Sequence, residues 1–110
     1  MAKLSTHVLD LSRGKPAAGL RIRLFAIEGE TRRLLNTATT NADGRIDAAD
    51  GLEPGVYEFE FGVGDYFGLT GGQPTFLGEV LVRFGVSDMA GKYHVPLLVS
   101  PYGYSTYRGS

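Results

Sequence analysis

Apolar and polar residues alternate at every second position in short blocks along most of this 110-residue chain, and Gly, Pro, Asn and Asp separate the blocks. Side chains on a β-strand point to opposite faces in turn, so this period of two predicts half-buried strands rather than helices. The blocks are residues 4–11, 20–27, 34–40, a short stretch from Arg45, 56–63, 79–86, 92–100 and a last strand within 101–110. The pattern predicts an all-β fold: a two-sheet antiparallel sandwich of seven to eight strands.

The segments between the blocks predict turns and one irregular stretch. Asp43-Gly44 tolerates positive φ, which predicts a tight turn that delivers Arg45 to the start of a strand. The charged stretch 28–33 is interpreted as a solvated hairpin connection. Residues 64–78 are interpreted as a loop with one short helical turn after Gly64, because the glycines there disfavour a longer helix. Pro96 has no N–H to donate and predicts an edge or a bulge within 92–100.

Aromatic residues recur at strand spacing in block 56–63, where every second side chain from Tyr57 to Val63 shares one face. Glu58 and Glu60 share the opposite face. Such a stripe could serve as a stacking platform for a ligand, but an alternating aromatic stripe is more typical of a hydrophobic core. We therefore predict that this face is buried between the sheets.

Composition excludes several classes of function. Eleven Lys and Arg against twelve Asp and Glu give a net charge of −1, which disfavours a nucleic-acid or anionic-membrane partner. No apolar run approaches the roughly 18 residues needed to span a bilayer, and the first residues do not resemble a secretory signal, so a cytoplasmic location is expected. The length suits one domain over residues 1–110.

The chain has no cysteine and two histidines, His7 and His94. Disulfides and a thiol nucleophile are excluded, and a zinc site would have to combine both histidines with carboxylates, so metal chemistry is disfavoured. Taken singly, each histidine would ordinarily be structural, Arg45 a solvated cation and Ser110 a frayed end. Together, two imidazoles and a guanidinium suffice to hydrolyse an activated carbonyl without a metal.

Two sets of segments carry a family resemblance. The turn 39–45 and the segment 51–59 resemble the prealbumin-like sandwich, a fold that non-enzymatic accessory modules share. The segment Leu-Ser-Thr-His-Val-Leu-Asp at 4–10 and the segment 93–110, which ends in Tyr-Arg-Gly-Ser, resemble the 5-hydroxyisourate hydrolase family of urate degradation. The second resemblance covers essentially the whole chain.

The resemblance implies a prealbumin-like fold with one short helix and no cofactor. It implies a homotetramer with a central channel and active sites at the dimer–dimer interface. The implied reaction is hydrolytic opening of the ring of 5-hydroxyisourate to 2-oxo-4-hydroxy-4-carboxy-5-ureidoimidazoline. The implied catalytic residues are His7, Arg45, His94 and Ser110, and the implied substrate-binding residues are Arg45, Tyr107, Arg108 and Gly109.

The roles within this set stay partly open in the sequence. A histidine is the expected base, either His94 or the His7/His94 pair acting together, and Arg45 is expected to fix the substrate ring and to stabilise the oxyanion. Ser110 is expected to position water, whereas Arg108 could contact substrate or only pin the terminal strand. Two other functions fit the same fold: a transthyretin-like small-ligand carrier that uses the central channel, and a structural or accessory module. Accelerated decay of the ultraviolet absorbance of 5-hydroxyisourate would exclude both.

Overall fold

The computed structural model describes residues 2–68, 74–88 and 90–109. It confirms the two-sheet, all-β sandwich with one short helix that the alternating pattern predicts. Within the described residues the elements are β1 (Ala2–Asp10), β2 (Lys15–Pro16), β3 (Arg21–Glu28), β4 (Thr31–Thr39), β5 (Arg45–Leu52), β6 (Gly55–Phe61), α1 (Val63–Phe67), β7 (Val80–Val86), β8 (Lys92–His94), β9 (Leu97–Ser100) and β10 (Gly103–Thr106). Ten strands exceed the expected seven to eight because β2 and β8 are pieces of two and three residues.

The first sheet is organised around β1. One side of β1 pairs antiparallel with β5 and then β2, and the other side pairs with β8 and β9, while β10 adds to β9. The pairings of β1 with β8 and with β9 are parallel, which differs from the expected purely antiparallel sandwich. A period of two fixes which face a residue occupies but carries no information on strand direction, so long-range pairings of this kind are set by the tertiary fold.

The second sheet has the order β4-β3-β6-β7, and all its pairings are antiparallel. Its inner face carries the predicted aromatic stripe: Tyr57, Phe59 and Phe61 are buried, and Val63, the first residue of α1, is buried next to them along the chain. The ring centroids of Phe59 and Phe61 lie 5.4 Å apart. Burying each such side chain contributes about 1.5–3 kcal/mol. The stripe is therefore core, as predicted, and not a ligand platform.

The outer face of the second sheet carries paired charges. The hairpin connection predicted for residues 28–33 is present and these residues are exposed, but its turn is shorter than predicted: it occupies residues 29 and 30, so Arg32 already lies in β4. Its Nε donates to Oε1 of the buried Glu58 over 2.9 Å, and Arg83 donates to the other carboxylate oxygen over 3.0 Å. Local composition could not show this, because the carboxylate comes from β6, 26 residues further along the chain.

Two of the smaller predictions are confirmed. The strand expected over residues 92–100 is split into β8 and β9 around Pro96, as its missing N–H predicts. The single helical turn expected after Gly64 is α1, which begins at Val63 and has five residues. Of the helical structure described, none is long and apolar enough to cross a membrane.

Candidate active site

The register of β1 against its two neighbours brings distant polar residues together. His7 on β1 is paired with Arg45 on β5, and Ser5 on β1 is paired with His94 on β8. Alternation along β1 buries Leu4, Thr6 and Val8 and turns the side chains between them outward. The two histidines and the arginine therefore share the outer face of the first sheet, as the conjunction of residue types suggests.

A tight turn places Arg45 beside His7. Asn41 Oδ1 accepts hydrogen bonds from the backbone N–H groups of Asp43 and Arg45, over 2.9 and 3.0 Å. Gly44 has φ +73°, and its carbonyl accepts the N–H of Val8 over 2.8 Å. This confirms the turn predicted from Asp43-Gly44, and it fixes where β5 begins against β1.

The imidazole of His94 is held from two sides. Ser5 Oγ lies 2.9 Å from Nδ1 of the ring. The backbone N–H of Gly109 donates to the carbonyl of His94 over 2.7 Å, and a Cβ added at Gly109 would lie 2.5 Å from Cδ2 of the ring. Glycine is thus required at 109 for the chain to pass so close to the imidazole.

Both histidines are held in the neutral form at neutral pH. Burial and the nearby Arg45 guanidinium lower the pKa of His94, and His7 lowers it further. Burial and Arg45 also lower the pKa of His7, against opposing contributions from the backbone and the charge of Asp43. A neutral imidazole beside a permanent cation can accept a proton from water while the cation stabilises developing negative charge.

An open cleft of about 730 Å³ lies next to this group. Its charged and titratable lining consists of Lys3, Arg45, Asp47, Asp50, Lys92, Tyr93 and His94. His7 does not line the cleft, but it is paired across the sheet with Arg45, which does. The cleft suits a small polar molecule rich in hydrogen-bonding groups.

The C-terminal residues expected at the site are divided between two places within one chain. Gly109 contacts His94, as described above. Tyr107 and Arg108 instead line a separate groove of about 270 Å³ beside β7, where the Arg108 guanidinium lies 4.4 Å from the ring centroid of Tyr93. Ser110 lies outside the described residues.

The sequence analysis did not single out Ser5. A signal was available, since Ser5 is two residues before His7 and must share its face if residues 4–11 form a strand. Its contact with His94, however, spans 89 positions. In the part of the chain that the structure describes, no group of three or more His, Cys, Asp or Glu side chains converges to hold a metal.

Comparison with known proteins places these features in context. The family model described as "HIUase/Transthyretin family" matches residues 4–109. A 5-hydroxyisourate hydrolase of Mesorhizobium japonicum is 55% identical over 98% of this chain and 92% of that protein. The solved Klebsiella pneumoniae 5-hydroxyisourate hydrolase is 37% identical with a TM-score of 0.84 and 100% coverage of both chains. Transthyretin from Sparus aurata has a TM-score of 0.85 at 26% identity, covering 96% of this chain and 95% of that one.

Proposed function

The chain belongs to the HIUase/Transthyretin family, and we propose that it hydrolyses 5-hydroxyisourate at the cleft beside His94. The product of this ring opening is 2-oxo-4-hydroxy-4-carboxy-5-ureidoimidazoline. The observation that carries the proposal is the convergence of His7, Arg45 and His94 on one sheet face, in a chain about half identical to relatives named for this activity.

In the proposed mechanism, water adds to a ring carbonyl of the substrate while a histidine removes its proton. We assign the base to His94, because it lines the cleft and its lowered pKa keeps the ring neutral. Arg45 donates to the oxygen that becomes negative as water adds. The ring C–N bond then breaks, the imidazolium returns its proton to the leaving nitrogen, and a carboxylate is formed. His7, paired with Arg45, orients the substrate or the water from the other side.

The C-terminal residues complete the proposed site. Ser110 follows Gly109, whose backbone is bonded to His94, and we assign it the positioning of the attacking water. Tyr107 and Arg108 line a different groove of the same chain. They are proposed as substrate-binding residues that act across a contact between chains.

A homotetramer is part of the proposal, with the cleft at the dimer–dimer interface. Strands β7 and β10 are edge strands of their sheets, and both contribute residues to the groove, Arg83 from β7 and Thr106 from β10. The open edge of a sheet can pair with a strand of another chain. Tyr104 on β10 and Tyr107 in the groove are 48% and 60% exposed, which supports their burial in an assembly. Light scattering of the purified protein tests the oligomeric state.

We also propose a cytoplasmic location, because a chain without cysteine gains no disulfide from an oxidising compartment.

The alternative function is a small-ligand carrier like transthyretin. The sea bream relative of known structure was solved in complex with thyroxine, and it is 25% identical to this chain. The cleft of this chain is lined by the cations Lys3, Arg45 and Lys92 and by two aspartates. Such a lining favours a polar, reactive heterocycle over a largely apolar hormone.

The direct test follows the ultraviolet absorbance of freshly generated 5-hydroxyisourate with and without protein. The parent is expected to accelerate the decay, and His7→Ala, Arg45→Ala and His94→Ala are each expected to lose most of that acceleration, on the order of 10²–10³-fold. Deletion of Ser110 tests the proposed role of the terminus. Thr37→Ala, an exposed position on β4 in the other sheet, is the control. Unaccelerated decay with the parent would exclude the function, and near-parent turnover in a variant would remove that residue from the mechanism.

A further inference from the structure

We propose that Ser5 is a positioning residue that holds Nδ1 of His94 and thereby leaves Nε2 as the base in the cleft. The catalytic consequence rests on the proposed hydrolase function. The geometry itself is independent of any substrate, so the two can be tested separately.

The contact that carries this inference joins two strands. Ser5 and His94 are paired in the parallel register of β1 and β8, and both line the cleft. Ser5 Oγ lies 2.9 Å from Nδ1 of His94, within the range of a direct hydrogen bond. A short side chain fixed on a central strand has little freedom, so it can define the orientation of the ring more firmly than a long or exposed partner could.

The opposite edge of the same ring is also occupied. The space beside Cδ2 is taken by the backbone of Gly109, which is tied to the carbonyl of His94. With Nδ1 against Ser5 and Cδ2 against Gly109, the edge that remains open carries Cε1 and Nε2. In the described part of the chain, Nε2 has no hydrogen-bond partner.

The inference assigns one tautomer to the neutral ring of His94. Nδ1 is the ring nitrogen within hydrogen-bond distance of Ser5 Oγ, and a hydroxyl oxygen can accept the N–H of Nδ1. With the proton on Nδ1, the lone pair of Nε2 is free to take a proton from water. Burial, Arg45 and His7 lower the pKa of His94, which favours the neutral ring that this assignment requires.

The proposal predicts that removing the hydroxyl of Ser5 changes kcat and the pH profile, and that the charged groups around His94 do not cause this change. The titratable and charged groups around His94 in the described chain are Lys3 and His7 on β1, Arg45, Asp47 and Asp50 on β5, and Lys92 and Tyr93 on β8. Arg108, which precedes Gly109, is turned toward the ring of Tyr93. All of these stay in place when only the hydroxyl of Ser5 is altered.

The test compares two side chains of nearly the same shape at position 5. Ser5→Thr keeps a hydroxyl and is expected to retain kcat within a few-fold of the parent. Ser5→Val removes it and is expected to lower kcat about 10- to 100-fold with little change in KM, the range found when partners that orient metal-bound histidines are removed. The acidic limb of the pH profile of Ser5→Val is expected to move to lower pH, because the imidazolium of His94 loses Ser5 Oγ as a hydrogen-bond acceptor. Thr37→Val on β4 is the matched control, and Ser5→Ala replaces the valine variant if that does not fold.

Nuclear magnetic resonance supplies a readout that needs no substrate. With two histidines in the chain, ¹⁵N-labelled imidazoles give two sets of signals in tag-free protein, and His7→Ala identifies that of His94. We expect the parent and Ser5→Thr to show the Nδ1–H tautomer, and Ser5→Val to show shifted nitrogen signals. Equal kcat and equal nitrogen signals in the valine and threonine variants would overturn the proposal. If the parent does not hydrolyse 5-hydroxyisourate, the proposed function fails, and the nitrogen signals alone decide the role of Ser5.

Discussion

The phenol of Tyr66 donates a hydrogen bond to Oδ2 of Asp10 over 2.8 Å, which ties α1 to the end of β1. Oδ1 of the same carboxylate accepts from the hydroxyl of Ser12 over 2.6 Å and from the backbone N–H of Ser12 and Arg13. Asp10 is 1% exposed, so every one of these bonds replaces water that the carboxylate has lost. The end of β1, close to His7, is thus fixed by a buried charge.

The first prediction concerns Asp10 and pH. Burial alone would raise the pKa of Asp10, but the hydrogen bonds from Ser12, Tyr66 and Arg13 outweigh it and hold the pKa below its ordinary value. A depressed carboxyl pKa stabilises the fold above the unfolded value of about 3.9, and the contribution is lost as pH falls through the folded value. Asp10→Asn should therefore lower the free energy of unfolding by about 1–3 kcal/mol at pH 7.

Chemical denaturation of parent and Asp10→Asn between pH 7 and pH 3 measures this difference. The gap between the two proteins should narrow as pH falls below the ordinary carboxyl pKa. Asp65→Asn is the control, because the carboxylate of Asp65 on α1 is 76% exposed. A gap that stays constant with pH would contradict the assigned role of the Asp10 charge.

The second prediction concerns the pH dependence of turnover. Because burial and Arg45 lower the pKa values of His7 and His94, the acidic limb of kcat/KM should lie below the ordinary histidine value of about 6.5. Arg45→Ala removes a cation that disfavours the imidazolium, so the limb should move to higher pH while turnover falls. The measurement is the decay of 5-hydroxyisourate between pH 5 and pH 8.

The control for Arg45 is Arg33→Ala, an exposed arginine of β4 paired with Glu28 in the other sheet. Arg33→Ala should leave both the acidic limb of kcat/KM and the turnover of 5-hydroxyisourate unchanged. An acidic limb in Arg45→Ala at the parent position would mean that the guanidinium does not act on the histidines.

The third prediction separates strain from steric overlap at the turn before Arg45. Gly44 has φ +73°, and a Cβ there would lie 2.5 Å from the carbonyl oxygen of Val8. Gly29 has a comparable φ of +63° with nothing within 4 Å. Gly29→Ala should lower the free energy of unfolding by about 1–2 kcal/mol, because alanine disfavours the left-handed backbone. Gly44→Ala should lower it by more, because the Cβ would also overlap the carbonyl oxygen of Val8.

Denaturant titration of both alanine variants tests this comparison. Gly44→Ala should also reduce turnover, because displacing the turn shifts Arg45 against His7. Equal destabilisation of the two variants would show that the close approach to Val8 has no energetic weight.

The fourth prediction concerns Gly109. A Cβ at this position would lie 2.5 Å from Cδ2 of His94, so Gly109→Ala must displace the ring or the terminal segment. Turnover should fall at least tenfold while the melting temperature stays close to that of the parent, because Gly109 and its neighbours Tyr107 and Arg108 are not part of the hydrophobic core. Gly103→Ala is the matched control, since its nearest contact would be Ser100 Oγ at 4.0 Å. Parent-like turnover in Gly109→Ala would separate the terminus from the function of His94.

Much of the fold was available from local pattern. The alternation along β6 correctly placed Phe59 and Phe61 in the core, and Asp43-Gly44 correctly placed the turn before Arg45. These succeeded because strand periodicity and the φ preference of glycine act over a few residues. The charged stretch 28–33 was correctly interpreted as an exposed hairpin, but its composition could not show that Arg32 pairs with the buried Glu58, because that carboxylate lies on another strand.

For the site, the sequence by itself determined which residue types were available and which strand faces they occupy: two histidines, one arginine after a turn, and no cysteine. The tertiary structure alone decided that β8 runs parallel to β1, which sets Ser5 against His94 and lets Gly109 close the other edge of the ring. Pairing between segments some 90 residues apart depends on how the two sheets assemble around a common core. Periodicity encodes the face that a side chain occupies, whereas only the assembled sheet determines its neighbour.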